Sequence, residues 1–445
     1  MEKIVIIGNG FDLRHYLPTK YNHLITILRE IENLNFSSFD EIKFGDLFGN
    51  LFKEKDIWFH NNICEYYNTN NILFDKTSLE SIQVRIKNNN WFKYLKTVED
   101  SKIETWIDFE TEIERVLIII LDFFTRYNLG ELQNGLKRDG KKGNVVFYVH
   151  GQEYQKVFKN KLQSNILLNF NLFKIENNFN AIADNTFLLI VEDELQYFKE
   201  KKFFDSVYYS LEEFIGVFND YIINIVNAFY SQFNENLKEN YVHRDDKFLF
   251  DVVSQVFSFN YTSTIGQLYK HNDQNKNAIR IMHNSLASKK TSVDYLHGEA
   301  ISNLEKLDEL KIVLGVDDIN NNLKNHKLFQ FTKYFQKLHK NTDYLFLDQI
   351  IRDLDQDYKG KEDKTFYFWG HSLDISDSEY IRDVFKVVRK SDCQIIIFYH
   401  SISGKADQLK NLLSIIDKNI IEDLMKNQKL TFIESTFDNL FEQLS

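Results

Sequence analysis

Near the N-terminus, Ile4-Val5-Ile6-Ile7 forms an unbroken apolar run that stops at Gly8-Asn9-Gly10. Such a run reads as a buried strand, and paired glycines at its end let the backbone turn tightly. Leu24, Ile27, Leu28 and Ile31 then recur at helical spacing. Pro18 biases Leu17 towards extended backbone, so the helix is expected not to begin directly after Gly10 but to follow a loop across the strand ends.

After Asp251 the same texture returns. Val252 to Phe259, Ile312 to Leu314, Phe366 to Trp369 and Gln394 to Tyr399 read as buried strands. Helical patterns are expected near Leu328 to Leu338, from Ile381 to Val388 and from Leu409 to Met425, with Ser376 and Glu379 spaced as a capping box. Strands alternating with helices predict a parallel sheet with helices on both faces. Between them, about Ser37 to Lys247, long segments rich in Phe, Tyr, Asn, Leu and Lys predict a mainly helical insertion, with one strand at Val145 to Val149 and an exposed turn at Arg138 to Gly143. The expected division is a core of residues 1–36 and 249–445 around an insertion of 37–248.

Sixteen glycines and one proline leave the chain short of loop punctuation, so the few glycines should mark places where the backbone needs them. A net charge of −11 disfavours nucleic acid as main partner. Cys64 and Cys393 supply neither a disulfide framework nor a metal-ligand spacing, and the longest apolar runs are too short to span a bilayer. A cytoplasmic protein without a membrane anchor is expected, the first apolar run being too short for a signal peptide.

The residues with chemistry cluster at expected strand ends. Gly8-Asn9-Gly10-Phe11-Asp12 could cradle a diphosphate, although Leu13 stands where the dinucleotide fingerprint has its third glycine. Asn260 follows a strand, where an amide can both donate to and accept from a ribose hydroxyl or a water. His297 precedes Gly298 and has the chemistry of a general base. Gly370-His371-Ser372-Leu373-Asp374 follows another strand, with Asp377 just beyond, and Leu314-Gly315-Val316-Asp317 repeats the pattern.

In this order, with Leu17-Pro18-Thr19, Trp106-x-Asp108-x-Glu110, Phe259-Asn260-Tyr261-Thr262 and His297-Gly298, the motifs resemble the AbiH family of bacteriophage abortive-infection proteins. They also resemble, more distantly, the sirtuin-like NAD-binding fold. The resemblance implies an α/β, Rossmann-like fold. It makes Asn260 and His297 catalytic, and Gly8, Asn9, Gly10, Phe11, Asp12, Gly370, His371, Ser372, Asp374 and Asp377 nucleotide-binding. The implied activity is hydrolysis of NAD, or a related nucleotide, at the nicotinamide–ribose bond, with no cofactor beyond NAD itself and no metal. Partners compatible with it are a phage-derived trigger and a second copy of the chain. Two rival readings are a nucleotide or ADP-ribose sensor without turnover, and a metal-dependent nuclease using Asp108, Glu110 and Glu112.

Overall fold

The computed structural model describes residues 2–444 except 100–105, 129–135, 140–145, 178–179, 193, 230–236, 251–252, 270–291, 303–305, 343–345 and 348–362. Six strands form one sheet: β1 (Glu2–Ile7), β2 (Gln255–Ser258), β3 (Ser292–Tyr295), β4 (Lys364–Trp369), β5 (Gln394–Tyr399) and β6 (Leu430–Glu434). Every pairing is parallel, and the spatial order is 3-2-1-4-5-6. This is the doubly wound order, whose direction reverses beside β1 and opens a crevice at the carboxyl ends. Register brings those ends level, since Ile7 pairs with both Ser258 and Trp369, and Ser258 with Tyr295.

The sheet is buried on both faces, as its continuous apolar runs predict. Alternate residues Ile4, Ile6, Phe366, Phe368, Ile395 and Ile397 pack into one core, while Val5, Ile7, Tyr367, Trp369, Ile396 and Phe398 pack into the other. The helices that matter here are α1 (Asn9–Arg14), α2 (Tyr21–Asn33), α3 (Trp106–Asn128), α4 (Glu200–Tyr221), α5 (Lys333–Lys340), α6 (Ser378–Arg389), α7 (Ile402–Ile415), α8 (Lys418–Lys426) and α9 (Phe437–Leu444). Helices α6, α7 and α8 cover the first face through Ile381, Val384, Leu412 and Leu424, and α9 covers the second through Leu440 and Leu444. A third core runs from Leu17 to Phe331 and is filled by α2, α3, α4 and their neighbours.

Several expectations change. A short helix does begin at Asn9, and the Pro18 loop follows it. Ile312 to Leu314 forms no strand, because its partner is a side chain. The Gln336 amide accepts from Leu314 N at 2.9 Å and donates to Leu314 O at 3.0 Å, as a neighbouring strand would. The stretch Leu409 to Met425 breaks at Ile416, whose backbone is extended, and Asp417 caps a new helix. Ser376 caps nothing. Asp374 instead caps the turn Ile375–Asp377, and α6 starts at Ser378. Between α2 and β2 the chain is helical but also holds a four-stranded antiparallel sheet that includes Val146–His150. Leu136–Asp139 is one of its strands, and the rest of the expected turn lies outside the described residues.

Candidate active site

The crevice is centred where β1 and β4 end side by side. Gly8 N donates to Trp369 O at 3.2 Å and Gly10 N to Gly370 O at 2.8 Å. A Cβ at Gly8 or Gly10 would come within 2.8 Å of Gly370 O, and Gly370 itself has φ +65°. The glycines therefore serve first to let two backbones touch. Asn9 lies in the cavity wall and donates from Nδ2 to Thr19 O at 3.2 Å. Phe11 turns away, packing edge-on against Trp369 at 4.9 Å and Phe250 at 6.0 Å, and so anchors α1 instead of lining the cavity. Asp12 points under the β2 end, where it accepts from Thr262 Oγ1 at 2.7 Å and Thr264 Oγ1 at 2.5 Å. Burial raises its carboxyl to about 6 against the pull of those hydroxyls and of the Asn260 amide.

Over these ends lies a cavity of about 380 Å³. Asn260 reaches it from the end of β2, with its backbone N bonded to Ser258 Oγ at 3.1 Å. The residue is 4% exposed, and its amide lies near enough to Asp12 to help hold that carboxyl down, although neither Nδ2 nor Oδ1 makes a well-aligned hydrogen bond with a described group. His297 follows β3 and is fixed by Val313 N, which donates to its carbonyl at 2.9 Å. Asp377 sits between two imidazoles, Oδ1 3.3 Å from His297 Nε2 and Oδ2 3.5 Å from His371 Nε2. Both ring nitrogens are close yet off hydrogen-bond alignment. Leu373 N donates to His371 Nδ1 at 2.9 Å, which leaves the His371 proton on Nε2, facing Asp377. The Phe259 ring stands edge-on between the imidazoles, 5.1 Å from His297 and 4.4 Å from His371.

Lys333 completes the cluster. Its Nζ lies 2.7 Å from Glu110 Oε1 and 3.6 Å from Asp377 Oδ1. The Lys333 ammonium and the two histidines hold Asp377 below the usual carboxylate range despite its burial. Burial and Lys333 lower His297 to about 4, so it is neutral at pH 7 and free to take a proton. Burial raises Glu110 to about 7 against the attraction of Lys333. The result is one firm carboxylate, two neutral imidazoles and an amide without a well-aligned partner around one cavity.

Residues 4–399 match the family model for bacteriophage abortive infection AbiH. The chain belongs to the AbiH family. No curated protein and no solved structure matches it. The span matched to AbiH runs from β1 to the last residue of β5 and takes in every residue of this cavity.

Of the residues expected at the site of this AbiH protein, Gly8, Asn9, Gly10, Asp12, Asn260, His297, Gly370, His371, Ser372 and Asp377 line one cavity, whereas Phe11 and Asp374 do not. Nothing in the sequence pattern marks Lys333. It lies on α5, which buries Lys333, Gln336, Lys337 and Lys340 and exposes Tyr334, Phe335 and Leu338, the reverse of an ordinary amphipathic pattern. Glu110 belongs to a motif to which the resemblance gives no role, and a long helix, α3, delivers it. Its neighbour Glu112 faces elsewhere, accepting from Tyr94 Oη at 2.6 Å and pairing with Arg115. The Asp108 side chain lies outside the described residues. Among the described residues no group of three His, Cys, Asp or Glu side chains is placed to hold a metal ion, and no helix is long and apolar enough to cross a membrane.

Proposed function

We propose that this AbiH protein binds NAD, or a closely related nucleotide, in the crevice and hydrolyses its nicotinamide–ribose bond as the step that aborts infection. The observation that carries the reading is Asn260, a buried amide at a strand end that lines the same cavity as His297 and makes no well-aligned hydrogen bond from either of its polar atoms. Buried polar groups are normally satisfied, and one left open in a cavity is a place for a ligand. The order Gly-x-Gly, strand-ending Asn, His-Gly and late Gly-x-Ser, on which the sirtuin-like likeness rests, supports the same assignment.

The chemistry follows from the groups present. The nicotinamide–ribose bond breaks to release neutral nicotinamide and leave an oxocarbenium-like ribose, which water attacks. Asn260 would hold a ribose hydroxyl and the water. His297, neutral at pH 7, would take the proton that the water loses, and Asp377 would stabilise the imidazolium so formed. The products are nicotinamide, ADP-ribose and one proton. General-base help of this kind is worth about 10²- to 10⁴-fold in rate.

The low basicity of His297 favours one rival, a sensor that binds nucleotide without turning it over, because an imidazole near 4 is a weak base. Purified protein incubated with NAD, with and without phage lysate, separates the two. Nicotinamide release lost in Asn260→Ala and His297→Ala supports hydrolysis. Tight calorimetric binding with intact NAD after long incubation supports the sensor. A cytoplasmic setting, a phage-derived trigger and self-association belong to the same proposal, as does the division of the chain at residues 37 and 248.

A further inference from the structure

A second cavity, of about 580 Å³, opens on the other side of the Gly10–Gly370 contact, over the ends of β4, β5 and β6. The two cavities share Gly10, Leu13, Lys20, Gly370, His371 and Ser372, so they meet over the glycines. Both volumes fall within the range of about 300–1,000 Å³ usual for small-molecule sites.

Its walls differ from those of the first. Trp58 stands at the rim 64% exposed, 6.3 Å from the Tyr16 ring. Tyr16 stacks on Tyr66 with centroids 4.9 Å apart and planes 24° apart. Its backbone has φ +55°, a left-handed conformation that a tyrosine holds only under constraint. Opposite, Gln408 is 8% exposed and braces the strand ends, its Nε2 donating to His371 O at 3.0 Å and Phe398 O at 3.1 Å. Gln408 Oε1 is buried with no hydrogen-bond partner. Flat aromatic surface and one open acceptor recognise a planar group carrying an amino or hydroxyl donor. Asn260, His297 and Asp377 are all absent from this wall.

We infer that this second cavity is a nucleoside subsite. It takes the base and ribose lying across the diphosphate from the bond that breaks, so the ligand is a dinucleotide and not a mononucleotide. The inference rests on the reading of the first cavity as the place of bond cleavage. The diphosphate crosses the glycine contact where the two cavities meet, and reaches Lys20, which lines both cavities and whose Nζ lies 2.9 Å from Asp56 Oδ2. The Asp407 carboxylate, at the mouth of the second cavity, suits the hydroxyls of the second ribose.

Calorimetry on the full chain with AMP, nicotinamide mononucleotide and ADP-ribose tests this. AMP and nicotinamide mononucleotide should bind together without displacing one another. Trp58→Ala should weaken AMP and ADP-ribose by about tenfold or more and leave nicotinamide mononucleotide unchanged, while Trp58→Phe restores binding. Competition between AMP and nicotinamide mononucleotide for one place, or AMP binding indifferent to Trp58→Ala with the fold intact by circular dichroism, overturns the second subsite and leaves the first cavity's reading standing. Binding of AMP alone, with neither nicotinamide mononucleotide nor ADP-ribose bound by the native chain, overturns both.

Discussion

Asn260 shows how a buried amide without a well-aligned partner weakens a fold. A buried amide whose hydrogen bonds are poorly made forfeits up to about 1–3 kcal/mol of desolvation. Asn260→Ala should therefore leave the melting temperature unchanged or raise it, while nucleotide binding is lost. A fall of many degrees would mean that the amide is structural. Gly370 is the opposite case. An alanine there must adopt φ +65° and overlap the backbone of Phe11, so Gly370→Ala should cost about 2–4 kcal/mol in urea denaturation. Both positions are legible in the sequence, since a Gly or Asn directly after an apolar run marks a strand end. Phe11 and Asp374 sit in the same motifs yet face away, because sequence spacing does not say which side of a turn a side chain takes.

At the scale of elements, the site depends on α5. Its lysines point inward and its aromatics outward, so hydropathy alone reads its buried face as the solvated one. Lys333 joins α3 to the β4 end by pairing with Glu110 and approaching Asp377. Removing one partner of a buried pair leaves the other charge uncompensated, at about 3–5 kcal/mol. Lys333→Met should lose about that much by chemical denaturation, and Lys333→Met with Glu110→Gln should recover most of it. Additive losses would show that the pair is not coupled. The segment Ile312 to Leu314 misled for a related reason: its apolar residues suit a strand, but Gln336 supplies the hydrogen bonds. Strand β3 is not legible in the sequence because Ser292–Tyr295 is short and half polar.

For the molecule as a whole, the parallel sheet and its crevice follow from alternation of apolar runs, whereas of the small antiparallel sheet between α2 and β2 only the strand Val146–His150 is legible, its partners lying in more polar sequence. Burial lowers His15, His23, His243, His297 and His371, to about 4 for His23 and His297 and about 3 for His243. The unfolded chain protonates these imidazoles first, so stability is lost as pH falls from about 6.5 towards 4. Glu110 and Asp12, raised to about 7 and about 6, act oppositely and gain stability over that descent. Burial also raises Glu30, Glu213, Asp220, Asp246 and Asp317, so the imidazole effect is isolated by substitution: the urea midpoint of His23→Gln should lose less, or gain more, between pH 7 and pH 5 than that of the native chain, and an identical pH dependence would contradict the burial of a neutral imidazole there. The central claim, that the crevice of this AbiH protein cleaves NAD, is tested most directly by quantifying nicotinamide after incubating purified protein with NAD and phage lysate. Nicotinamide and ADP-ribose should appear in equal amounts with the native chain and at background with Asn260→Ala. Intact NAD in both, or equal release from both, would contradict it.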